Sequence, residues 1–141
     1  KEWDKFLRSL DTETYRIIVV PVGDNLLSAQ SLNRQTCDLA AVNFDMRLAL
    51  YEEAYCNLFS NNGPCVASGF DKNVDFIMFN ILAEGINHCS EDFLVDAGFK
   101  IGTDPEYQTR FQRWVWKSDT FEVISHEFNQ FCKDKDNRHI L

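Results

Sequence analysis

The residues best equipped for chemistry stand in one short run, His88-Cys89-Ser90-Glu91. A cysteine attacks as thiolate, which needs a nearby base or a helix N-terminus, and Cys89 just ahead of a Ser90-capped helix would have the second. With His88 beside it, or a distant His126, the run makes a cysteine-dependent enzyme one alternative function. Consecutive side chains seldom face one another, so a helix-to-loop junction carrying an incidental thiol accounts for the same residues, and no catalytic residue is assigned.

The three histidines, His88, His126 and His139, are far apart with no i, i+4 pair, and the five cysteines show no C-x-x-C spacing. Neither metal nor cofactor is therefore expected. Asp71-Lys72-Asn73-Val74-Asp75 imitates the opening of a calcium loop, but Phe76 stands where the turn glycine belongs and Leu82 where the bidentate glutamate belongs. Gly-rich phosphate loops and the G-x-S-x-G elbow do not occur.

Charge says more than motif. The chain has 22 acidic and 14 basic residues, a net charge of −8, which opposes general nucleic-acid binding unless a local patch overcomes the field. One such window exists, residues 107–117, where Arg110, Arg113 and Lys117 are interleaved with Tyr107, Phe111, Trp114 and Trp116. A basic, aromatic surface can dock an acidic protein or stack on nucleic acid, so a nucleic-acid accessory module is a second alternative. If the window is helical, its aromatics face the core and its cations only the solvent. Asp38, Asp45 and Glu52 recur at seven residues, about 10 Å apart on one helical line, too far for a catalytic carboxylate pair.

The cysteines, Cys37, Cys56, Cys65, Cys89 and Cys132, are odd in number and irregularly spaced, which points to a reducing intracellular compartment, cytoplasmic or nuclear. No apolar run approaches the eighteen or so residues that span a bilayer. The chain opens on Lys1 without a signal pattern, so the expectation is one domain, residues 1–141, excised from a larger protein.

The elements expected to carry these residues are mostly helical. Trp3, Phe6, Leu7 and Leu10 give a short amphipathic helix over residues 2–10, and residues 15–22 are β-branched, a minor strand stopped at Gly23-Asp24-Asn25. Its candidate partners are residues 99–101 and 114–116. Cys37, Ala41, Phe44, Leu48, Tyr51, Tyr55 and Leu58 step by four and three, predicting one helix about 36 Å long over residues 36–59. Its opposite side carries Leu39, Val42, Met46, Ala49 and Leu50. After the break at Asn61-Asn62-Gly63-Pro64, residues 74–86 read as a second, buried helix capped by Asp71. Ser90 caps a short helix ended by Gly98, and Thr103-Asp104-Pro105 reads as another helix start. Asp119-Thr120-Phe121-Glu122 resembles a capping box before Phe121, Ile124, Phe128 and Phe131, with a polar tail over residues 133–141.

The expected fold is thus mainly α, a single compact domain of about five helices around a long central one. The expected function is non-catalytic: protein–protein interaction or self-association, through Leu39, Val42, Met46 and Leu50 on the second apolar face and Arg110, Arg113, Trp114, Trp116 and Lys117 in the basic window.

Overall fold

The computed structural model describes residues 1–21, 34–61 and 63–137. The elements along them, alternating from α3 onward, are α1 (Glu2–Ser9), β1 (Ile18–Val19), β2 (Gln35–Thr36), α2 (Leu39–Val42), α3 (Phe44–Glu53), β3 (Asn57–Ser60), α4 (Gly63–Ser68), β4 (Phe76–Phe79), α5 (Glu91–Asp96), β5 (Gln112–Trp114) and α6 (Phe121–Asp136). All the pairings between these strands are parallel. β1 pairs with β2, Ile18 opposite Gln35, and β3-β4-β5 form a second sheet with β4 in the middle.

This is an α/β arrangement, not the mainly helical one expected from periodicity. The second buried helix is absent: Phe76-Ile77-Met78-Phe79 is the central strand, buried at every position. A middle strand of a parallel sheet is covered on both faces, so it reads as an unbroken apolar run rather than an alternating one, and such a run cannot be told from a buried helix by period alone. Asp71 caps no helix; its carboxylate accepts from Asn73 N in a tight turn.

The long central helix is also absent. Its first residue, Thr36, lies in β2, and the backbone turns extended at Asn43 (φ −116°, ψ 112°), whose side chain accepts from Met46 N at 2.9 Å and so caps α3 afresh. An asparagine that bonds the backbone three residues on competes with continuing the helix through it. α3 then ends at Ala54, and Asn57-Leu58-Phe59-Ser60 leave as β3 because β4 offers a ladder from Asn57↔Phe76 to Ser60↔Phe79. The strand expected over residues 15–22 is limited to Ile18–Val19, and its partner is Gln35–Thr36 rather than either segment proposed from sequence. Val22, Gly23-Asp24-Asn25, Asn62 and residues 138–141 of the tail lie outside the described residues. The remaining tail differs too, since α6 continues to Asp136. Thr103-Asp104-Pro105 begins no helix, because Asp104 Oδ1 accepts from Trp114 N and Thr103 closes a turn on Lys100 O.

Other local signals carry over directly. α1 occupies Glu2–Ser9, Ser90 Oγ caps α5 through Phe93 N, and Gly98 beyond it adopts φ +90°. α6 starts one residue later than the capping-box reading, with Thr120 as its cap to Val123 N, while Phe121 N donates to Glu2 of α1.

Three layers result. Ile77 and Phe79 point to one face of the sheet, where Phe6 of α1 and Ile124, Phe128 and Phe131 of α6 cover them. Phe76 and Met78 point to the other, onto Tyr51 of α3, Cys65 of α4 and Leu94 of α5. The aromatic wealth of the chain is spent on edge-to-face contacts in these layers, Trp3 on Phe79 at 5.2 Å and Phe6 on Phe128 at 5.5 Å among them. Two buried polar side chains stitch the strands. Asn57 Nδ2 donates to Tyr51 O and Asp75 O, and Gln112 Nε2 donates to Asp71 O (2.7 Å), Val74 O (3.0 Å) and Ser68 O (3.4 Å).

Candidate ligand cleft at the carboxyl edge of the sheet

A parallel sheet gathers the carboxyl ends of its strands on one edge, and the loops leaving that edge are where open α/β sheets bind ligands. Here β3 ends at Ser60, β4 at Phe79 and β5 at Trp114. Polar side chains converge there. Asn80, immediately after β4, is in the left-handed region (φ +56°), and its Nδ2 bridges Ser60 Oγ at 3.1 Å and Asp119 Oδ2 at 3.0 Å. The same Asp119 oxygen accepts from the Trp3 indole, which ties α1 to this edge. Left-handed backbone at a non-glycine residue costs on the order of 1 kcal/mol, and asparagine tolerates it best.

Beside this latch the loop after β4 and the loop after β5 line an open cleft of about 750 Å³, within the range of small-molecule sites. Leu82, Ala83 and Ile86 give it apolar walls; Glu84, Asn87, Ser90, Glu91 and Ser118 give it polar ones; Trp116 stands on the β5 side. The β4 loop is shaped by Ala83 N on Cys89 O, Cys89 N on Ile86 O, and Gly85 at φ +75°. Trp116 is positioned from behind, with its indole N–H on Thr103 O at 3.1 Å and Trp114 tilted against its ring at 5.8 Å.

The reactive run expected from sequence borders this cleft without forming a nucleophile–base pair. Cys89 is buried, and its sulfur receives a bond from the Asn61 amide at 3.4 Å, a donor that cannot act as a base. His88 is exposed on a short 3-10 helix, Asn87–Cys89, and His126 is exposed on α6. Among the described residues, no group of three or more His, Cys, Asp or Glu side chains converges as metal ligands do.

The basic, aromatic window does not make one surface, because β5 runs through it and sends alternate side chains to opposite faces. Arg113 faces α6 and is ion-paired to Asp134 at 2.6 Å, holding that carboxyl below its ordinary range. Arg110 lies over the Phe111 ring at 4.6 Å. Trp114 packs on Phe99 in the other layer, Trp116 lines the cleft, and Lys117 is exposed beyond it. Of the apolar residues expected to bind a partner, Leu39, Val42 and Met46 are 54%, 84% and 43% exposed, with Phe44 at 51% between them; Leu50 is half-buried.

The opposite, amino edge holds a second polar cluster with a structural role. Lys135 of α6 pairs with Asp75 at 2.8 Å and lies over the Tyr55 ring, whose hydroxyl donates to Asp136. Burial raises the Cys56 and Cys132 thiols and the Tyr55 phenol above their ordinary values, so all three stay protonated at neutral pH.

Sequence reasoning missed Ser60, Asn61, Asn80 and Asp119. A signal was available, since both Asn57-Leu58-Phe59-Ser60 and Phe76-Ile77-Met78-Phe79 are four-residue runs followed at once by asparagine, a residue that leaves strands readily. In comparisons with known proteins, no family model, curated protein or solved structure matches this chain.

Proposed function

We propose that this chain is a small-molecule-binding α/β domain whose ligand seats at the carboxyl edge of β3-β4-β5. The observation that carries the reading is the cleft of about 750 Å³ between the loops after β4 and β5, beside a polar latch that holds Asn80 in a left-handed conformation. A 15N-labelled sample screened against a fragment library tests it. Hits should shift amides of residues 82–91 and 116–118, and Ala83→Trp, which fills the cleft, should abolish those shifts. Hits that map elsewhere, or that survive Ala83→Trp, overturn the reading.

A second reading, protein association, is favoured by the exposed row Leu39, Val42, Phe44 and Met46 on α2 and α3, since contiguous exposed apolar side chains mark interaction surfaces. Sedimentation of the wild type against Val42→Glu/Met46→Glu tests it: a concentration-dependent mass that the double variant lowers supports association, and a monomer in both removes it. Cys37, Cys56, Cys89 and Cys132 are free thiols, which supports a reducing, intracellular setting for either role. No helix among the described residues is long and apolar enough to cross a membrane.

A further inference from the structure

The chemistry of the cleft wall selects among ligands. Among the described residues, the charged side chains lining it are Glu84 and Glu91, both exposed carboxylates; the Cys89 thiol beside them is buried. They sit in a stretch, residues 71–106, with eight acids and two bases, a local charge of −6. Where open α/β sheets bind phosphate at this edge, backbone N–H groups at a helix start face the anion. Here the helix after β4 carries Glu91 and Asp92 in its first turn, two acids that disfavour an anion there.

The third wall component is Trp116. Its indole is held in place by the bond to Thr103 O and by Trp114, which is itself packed on Phe99 at 5.1 Å. A ring fixed before binding gives a ligand contact at low entropic cost, and the face of tryptophan is the best aromatic surface for a cation. Leu82, Ala83 and Ile86 complete the wall with apolar contacts suited to alkyl groups on such a cation.

Building on the ligand-site reading, we infer that the cleft takes an organic cation, an alkylated ammonium group seated on Trp116 and neutralised by Glu84 and Glu91. The negative field of residues 71–106 steers it inward. An anionic ligand meets two carboxylates and, among the described residues, no opposing cation on this wall.

Titration calorimetry on the full chain, with choline, its uncharged isostere 3,3-dimethylbutan-1-ol, and inorganic phosphate as probes, tests the inference. Choline should bind saturably, with the alcohol at least 10-fold weaker and phosphate not binding. Glu84→Gln/Glu91→Gln should weaken choline at least 5-fold. Trp116→Leu should do the same, and the exposed glutamate pair keeps the test valid if that variant folds poorly. Equal binding of choline and the alcohol, or binding of phosphate in place of choline, overturns the cation assignment while leaving the cleft a ligand site. No binding of choline by the wild type also overturns the assignment, and the fragment mapping then decides separately whether the cleft binds small molecules at all.

Discussion

Gln112 offers the sharpest test of why this chain folds as an α/β sheet. It is 1% exposed, and its amide joins the end of α4, the turn before β4 and the start of β5, while its Oε1 accepts from Thr109 N at 3.0 Å. Gln112→Leu keeps the volume and removes every one of these bonds. Asp71 O and Ser68 O each retain a backbone donor, from Val74 N and Asp71 N, so their loss is a weakened second bond. The buried Val74 O and the part-buried Thr109 N lose the partner that Gln112 supplies, at about 2 and about 1 kcal/mol, and the two weakened bonds add about 1 kcal/mol together, offset by about 1 kcal/mol from the added apolar burial. The net expectation is about 3 kcal/mol of destabilisation, a large part of a domain's usual 5–15 kcal/mol. With about 2.1 cal/mol/K of unfolding entropy per residue over 141 residues, that lowers Tm by about 10 °C.

Gln112→Glu sharpens the test because it points a carboxylate at three carbonyl oxygens. Its folded pKa must rise above the ordinary glutamate value near 4.3, since only the protonated form can donate to one of them. Stability lost at pH 7 should then return in part as pH falls toward 4, the reverse of ordinary acid behaviour. Calorimetric scans at both pH values measure this. If both variants unfold within about 1 °C of wild type at pH 7, the buried amide does not hold β5 in place and the reasoning is wrong.

The left-handed Asn80 predicts an order of stabilities. Asn80→Ala loses the bonds to Ser60 and Asp119 and adds strain, about 2–3 kcal/mol in all; Asn80→Gly loses the same bonds but relieves the strain, recovering about 1 kcal/mol. Chemical denaturation should rank wild type above glycine above alanine, and an alanine variant at least as stable as the glycine one refutes it. The neighbouring Asp71 carboxylate raises the pKa of Glu52, so this pair favours folding below about pH 4.5 and opposes it above. Glu52→Gln should therefore stabilise at pH 7, less so in high salt, and give no gain at pH 4; urea midpoints under the three conditions measure it. Burial raises the Cys56 thiol, so its contribution to stability is complete below the ordinary value near 9 and declines as pH rises beyond it. Urea midpoints between pH 8 and 10 should fall more steeply for wild type than for Cys56→Ser, with part of the slope remaining because Cys132 and Tyr55 are raised as well.

Local chemistry was legible in the sequence. Helix α1 follows from Trp3, Phe6 and Leu7, the cap at Ser90 and the stop at Gly98 from residue type, and the start of α6 from the Asp119-Thr120 region, because each depends on bonds or contacts spanning a few residues. The identity of residues 76–79 was not, since four consecutive apolar residues satisfy a buried helix and a central parallel strand equally. What decides between them is whether other segments supply a ladder, and those are Asn57–Ser60 and Gln112–Trp114, far away along the chain. The candidate site follows the same rule. Trp116, Glu84 and Glu91 were visible as residues, and their composition alone set the charge of any surface they formed. Only the stacking of three strand ends on one edge brought the two loops together into a cleft, because in a parallel sheet the chain must cross back over the sheet after every strand and so returns each loop to the same side.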